Sequence, residues 1–337
     1  MLEKVTIKQA PGKDVPYILR EGEGKCLLVA GQMVHLLAGV EETAGGYGAV
    51  VCEATYDRQA IPLHYHEREH DTWLCTRGRL QVWCGEQSRI LTEGDFAYVK
   101  PYDVHSYRSV APRTSFFGVV APGGWEGFFT AAGEEWQEAG LPPENHPFDF
   151  SRMGPAMGQY GVMRVDGATY AEATNGDETD RVLPTEPASY ILQSGYGLTR
   201  RLNGHMSTVV LSRAITEGAL DMRTIEAGHG AGMPAIVHAA THVSLYLMSG
   251  TLRLTLGGEE NILNAGDFAN IPAGTAYATR VEGGHARWVL SGANGDGLEF
   301  WDRAGAKTQE FVFENKSDLP ACVTAVKGLN GVDVALA

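Results

Sequence analysis

The chain repeats itself, and the repeat constrains its architecture more than any single motif does. The stretch GRLQVWCGEQSRILTEGDFA (Gly78 to Ala97) aligns without a gap on GTLRLTLGGEENILNAGDFA (Gly250 to Ala269), a displacement of 172 residues. The same displacement carries Pro62 onto Pro234, His66 onto His238, Phe128 onto Phe300 and Gly133 onto Gly305. Upstream, YILREGEG (Tyr17 to Gly24) matches YILQSGYG (Tyr190 to Gly197) at 173, so a single residue is gained between the two registers. Two copies of one fold follow, spanning roughly residues 17–140 and 190–310.

Each copy reads as short strands. GRLQVWCG and GTLRLTLGG alternate with a period of two, GDFAYVK and GDFANIP open on a turn pair, and TSFFGVVA and ARWVLSGA have the composition of buried strands. Helical periodicity is scarce; GWEGFFTAAGEEWQEAG (Gly124 to Gly140) is its best candidate. Many short strands between glycine turns predict an all-β sandwich or barrel. Between the copies, PPENHPFDFSRMGPAMGQYG and ATNGDETDRVLPTEPAS are rich in Pro, Gly and acids, the composition of an exposed connection. The expected division is an N-terminal domain over 1–145, a linker over 146–189, and a C-terminal domain with a tail over 190–337.

A net charge of -14 argues against nucleic acid, where affinity comes mainly from Lys and Arg on phosphates. The opening MLEKVTIKQAPGKDVPYIL holds no apolar run of signal-peptide length, and no stretch is long enough to span a bilayer. The five cysteines form no CxxC pair and read as reduced thiols, mostly buried. A cytoplasmic protein that meets neither nucleic acid nor membrane is the expectation.

The stretch PLHYHEREHD (Pro62 to Asp71) carries the chemistry. His64 and His66 are two apart, so on a strand both point to one face and can converge on one ion. Trp73 lies two residues beyond Asp71, and Tyr107 two beyond His105, which places both on the same face as those residues. Phe116 on a following strand, and Met33 and His35 on an early one, are further candidates for a pocket wall suited to a flat aromatic ligand.

The glycine-anchored order of these residues resembles the cupin superfamily, and within it the quercetin 2,3-dioxygenase family. The family pattern sets HxH and an acid before a glycine, then Gly-Asp, Pro and a late His. Here Gly78 places His64, His66 and Asp71, while Gly94 of GDFAYVKPYDVH places His105; VVAPGGWEGFF (Val119 to Phe129) is also similar to the segment that follows the first cupin in quercetinases. The resemblance implies two tandem cupin domains, jelly-roll β-barrels with few short helices. It further implies metal ligands His64, His66, Asp71 and His105, with Asp71 and His105 at the catalytic centre.

The chain departs from the pattern in three places, and at the first Lys100 stands where the family usually has Pro, with Pro101 adjacent. The family's acid is Glu, and here it is Asp71, shorter by about 1.5 Å. Asp71 can serve as ligand, base or orienter, and three histidines alone can hold an ion. In the second copy the four positions read Ile236, His238, Val243 and Tyr277, a poor donor set for a divalent ion. The expected cofactor is therefore one divalent transition metal (Cu, Fe, Mn, Co or Ni) in the N-terminal cupin only. The implied partners are a small aromatic or polyphenolic substrate and O2, and the resemblance allows a homodimer. Two other functions compete with the dioxygenase reading: an isomerase, cyclase or pericyclic-step catalyst of secondary metabolism using the same bowl without O2, and a non-catalytic ligand-binding bicupin.

Overall fold

The computed structural model describes residues 9–54, 59–138, 140–143, 146–314, 317–329, 331 and 333–337. The repeat appears as two antiparallel β-barrels. In the first, one sheet runs in the spatial order Lys25–Val29, Gln32–Ala38, Gly48–Ala54, Thr114–Ala121, His70–Arg77, Phe96–Val99. A smaller sheet faces it, with His64–Tyr65, His105–Ser109, Leu80–Cys84 and Gln87–Leu91 as neighbours. The second barrel repeats this order with longer strands, His242–Leu256 and Tyr277–Ala293 running through both of its faces.

Each copy lends a strand to the other. Tyr17–Leu19 pairs with Phe268–Ile271 of the second barrel, and Tyr190–Leu192 pairs with Phe96–Val99 of the first. Three apolar clusters result. One fills the first barrel (Val34, Cys52, Trp73, Phe116), one the second (Ile225, Leu245, Trp288), and one lies between them (Leu74, Phe117, Tyr246, Phe268). In that last layer Phe117 and Tyr246 stack face to face, with ring centroids 4.7 Å apart and planes within 8°.

The aligned glycines Gly78 and Gly250 have a common physical cause. Both have positive φ, +78° and +84°, and both lie against the backbone of a neighbouring strand. A Cβ would stand 2.7 Å from Thr114 Cα in one case and 2.1 Å from the His285 carbonyl oxygen in the other. Only glycine meets both conditions.

The helix expected over 124–140 is confined to Gly127–Ala132; Gly133 ends it, and the chain then pairs as Glu134–Glu135 with Lys25–Val29. The Pro- and Gly-rich stretch after it packs on the first barrel. It holds a helix, Met153–Gln159, and a short strand, Met163–Arg164, that pairs with His64–Tyr65. At the 172-residue displacement, Ala335–Leu336 pairs with Ile236 and Val237 in the second barrel, below the helix Leu319–Lys327. The repeat therefore extends into both stretches, where sparse apolar spacing concealed it. Among the described residues no helix is long and apolar enough to cross a membrane.

Candidate metal centre

His64 and His105 face each other across two paired strands, in direct register. Their Nδ1 atoms lie 2.8 Å from the Pro62 carbonyl and 3.0 Å from the Asp103 carbonyl. A carbonyl oxygen only accepts, so each Nδ1 carries the proton and each Nε2 keeps its lone pair. His66 completes the group: the three rings are 4.3 to 5.1 Å apart, and one ligand atom from each lies within 4.8 Å of the others. Among the described residues this is the one cluster of three or more such side chains that converges so closely.

Burial sets the charge of the trio. His66 and His105 are each 1% exposed. Desolvation pushes His64 down to about 4 and His66 to about 3. His105 is held well below its usual range by burial first, then by the other two rings. All three are therefore neutral at pH 7, the form in which imidazole ligates a metal.

Asp71 lies against the trio, its Oδ2 3.7 Å from His105 Nε2 and 4.0 Å from His66 Nε2. Its Oδ1 accepts the Thr72 backbone N–H at 2.8 Å. Burial raises its pKa to about 8, with the Thr72 hydrogen bond working in the opposite direction. His66 Nδ1 and Nε2 and His105 Nε2 are buried without a hydrogen-bond partner. Buried nitrogens left without partners are costly, and a divalent cation would satisfy the Nε2 lone pairs. Three neutral imidazoles and an adjacent carboxyl are a donor set that fits such an ion. Glu67 points to solvent, and His70 faces away from the trio, its Nδ1 2.7 Å from the Tyr98 hydroxyl.

The other expected residues separate into two groups. Trp73, Tyr107 and Phe116 form an aromatic chain beside His105, with centroids 5.5 Å (His105–Trp73), 6.1 Å (Trp73–Tyr107) and 5.1 Å (Tyr107–Phe116). The Tyr107 hydroxyl donates to Gln32 Oε1 at 2.8 Å. Met33 and His35 are not brought to the trio, which corrects the expectation from the sequence. Val34 between them belongs to the barrel core, so by strand alternation both side chains point outward. With Leu37, Val51, Tyr246 and Met248 they line a separate cavity of about 1390 Å³ between the barrels.

The sequence reading missed Trp125, whose ring meets the His66 ring edge to face at 4.9 Å and packs on Phe128 and Phe129. It sits in a loop, where strand parity has no reach; its only signal was its place in VVAPGGWEGFF. At the four equivalent positions of the second barrel, Ile236, Val243 and Tyr277 are core residues. His238 Nε2 lies 3.1 Å from the Tyr277 hydroxyl, and its Nδ1 3.0 Å from the Asp333 carbonyl.

Comparison with known proteins bears on the family and the fold. The Cupin domain family model matches residues 55–115 and 222–292. Quercetin 2,3-dioxygenase of Bacillus subtilis (strain 168) is 25% identical over 280 residues, 83% of this chain and 82% of that one. Quercetin 2,3-dioxygenase of Aspergillus japonicus is 23% identical over 198 residues, 56% of each chain. Among solved structures, protein Ylba from E. coli superimposes with a TM-score of 0.53 at 12% identity, covering 84% of this chain and 92% of that one. Oxalate decarboxylase from Bacillus subtilis does so with 0.50 at 15%, covering 84% and 77%. The chain is a protein of two cupin domains, similar in sequence to bacterial and fungal quercetin 2,3-dioxygenases.

Proposed function

We propose that the chain is a metal-dependent dioxygenase of the quercetinase type, cleaving or oxidising a flavonol-like or polyketide-derived phenolic in its N-terminal barrel. The observation that carries this reading is the convergence of three neutral, buried histidines beside a buried carboxyl group. His64, His66 and His105 would hold a single divalent transition metal through their Nε2 atoms. When bound, the metal supplies open coordination positions at which a phenolic oxygen and O2 can meet.

The remaining work falls to the chain's own side chains. Pro62 and Asp103 fix the His64 and His105 rings through their carbonyls, and so fix the tautomers. Burial disfavours the charge of Asp71, and a divalent ion at the trio would favour it, so the loaded site would hold Asp71 as the carboxylate, the form that can accept a proton. Its Oδ2 is placed to take the proton of a phenolic hydroxyl bound near the trio. Trp73, Tyr107 and Phe116 offer ring faces to a flat substrate and keep water from the reacting atoms.

The test is reconstitution of the protein with Cu, Fe, Mn, Co and Ni in turn, followed by O2 uptake on adding flavonols. At least one metal at about one equivalent should support O2 consumption. The His66→Ala/His105→Ala variant should lose both the metal and the uptake. O2 consumption by no loaded form would refute the proposal.

A further inference from the structure

We infer that Trp125 is a ligand-orienting residue of the same site, donating its indole N–H to an oxygen of the molecule bound at the histidine trio. The inference rests on the trio being a ligand-bearing metal site, and it names a specificity contact that strand parity could not reach.

The indole is about nine-tenths buried, and its Nε1 has no hydrogen-bond partner. Tryptophan is a donor only, and a buried indole N–H ordinarily finds an acceptor. The neighbouring ring cannot provide one. With its Nε2 turned to the centre beside Asp71 and His105, neutral His66 carries its proton on Nδ1, which is also a donor. The Gly161 backbone carbonyl acts on the His66 ring, so the Trp125 N–H is the donor beside the trio that is left without an acceptor. The acceptor it lacks is supplied by an oxygen-bearing ligand.

A comparison within the chain separates this position from an incidental orphan. Trp301 also has a buried Nε1 without a partner, but its ring lies 5.9 Å from His205, whose Nε2 is likewise unmatched. His205 Nδ1 lies 3.0 Å from the Asn203 carbonyl, so its Nε2 is an acceptor. There a donor and an acceptor sit on neighbouring rings, a pair that a single water can bridge. Trp125 has no such counterpart. At the 172-residue displacement, moreover, Trp125 falls on Gly297, where a Cβ would stand 2.3 Å from His238 Nδ1. The indole is present in the copy that keeps the histidine trio, and no side chain fits there in the copy that lacks it.

The experiment compares Trp125→Phe with wild type and with Trp301→Phe, all loaded with Co(II). Metal content is measured first, and tropolone, a small oxygen chelator, is then titrated in by its visible absorption. The expected result is equal metal content in all three and tropolone binding weakened about tenfold or more in Trp125→Phe alone, the loss of one hydrogen bond to a charged oxygen. Trp301→Phe should match wild type. Binding within twofold of wild type would overturn the inference, as would loss of metal from Trp125→Phe, which would make the indole a packing support for His66. Failure of wild type to bind tropolone would overturn it too. A wild type that binds tropolone but consumes no O2 with flavonols would refute the proposed reaction and leave this contact standing.

Discussion

Loading the site should release protons in an amount set by Asp71. The three imidazoles are already neutral at pH 7, since burial holds His64 near 4, His66 near 3 and His105 well below its usual range. They have no protons to give. Asp71, raised to about 8, is about 0.9 protonated at pH 7 and about 0.1 protonated at pH 9. Its Oδ2 is within 4.0 Å of two rings of the trio, so a divalent charge placed there would favour the carboxylate strongly. Calorimetric titration with Co(II) in buffers of different ionisation enthalpy should therefore show about 0.9 proton released per ion at pH 7, falling to about 0.1 at pH 9. Below pH 8 the affinity should rise about tenfold per pH unit. In Asp71→Asn both the release and the pH slope should vanish. Equal proton release in wild type and Asp71→Asn would refute the reasoning, because the protons would then come from elsewhere.

The same group governs the metal-free protein. An acid whose folded pKa lies above its unfolded value stabilises the fold at low pH and withdraws that stability as pH rises through the folded value. Below about pH 6.5 the buried His64, His66 and His105 act in the opposite sense, so the Asp71 effect is read as a difference: as pH rises from about 4 to 8 the apo wild type should lose melting temperature relative to Asp71→Asn, and a constant difference would contradict this. Phe117, fully buried and stacked on Tyr246, joins the two barrels, and Phe117→Ala should cost about 3–5 kcal/mol in urea unfolding; a loss under about 1 kcal/mol would show that the interface closes over the gap. Gly78→Ala combines a positive φ with a Cβ 2.7 Å from Thr114 Cα, so it should cost about 2 kcal/mol or more by the same assay, and a neutral result would mean that the strand ends shift freely.

The double architecture was legible because jelly-roll strands depend on turn glycines, and Gly78, Gly94, Gly250 and Gly266 stand at one displacement with positive φ in every case. The trio was legible because strand alternation sets His64 and His66 on one face, and the resemblance to the cupin pattern, anchored on Gly78 and Gly94, adds His105. Alternation alone left open which face of Gln32–Ala38 turns inward. Met33 and His35 were placed on the wrong side because that strand is buried on both faces, against its own barrel on one and the inter-barrel layer on the other. A strand with two buried faces shows no polar alternation to read. The helix Met153–Gln159 escaped for a related reason: only Ala156 is buried in it, and two of its seven residues are glycine. Such a helix is held by its neighbours more than by its own propensity.

The second barrel bears directly on the first one's chemistry. Its borrowed strand, Tyr190–Leu192, pairs with Phe96–Val99, which in turn pairs with the strand carrying Asp71, in register at Asp71 and Val99. Just before that strand, the Ser189 hydroxyl accepts the Lys100 backbone N–H at 3.0 Å and donates to Asp103 Oδ2 at 2.6 Å. Lys100 closes the loop on Asp103 Oδ1 at 2.8 Å. Asp103 is the residue whose carbonyl accepts from His105 Nδ1. The turn that aims His105 is thus clamped from the far half of the chain. A copy with Ile236 and Val243 in place of ligands can still be required for the site, because strand exchange makes its backbone part of the first barrel's frame. Ile236 and Val243 pack within the second barrel's own core and leave that frame intact.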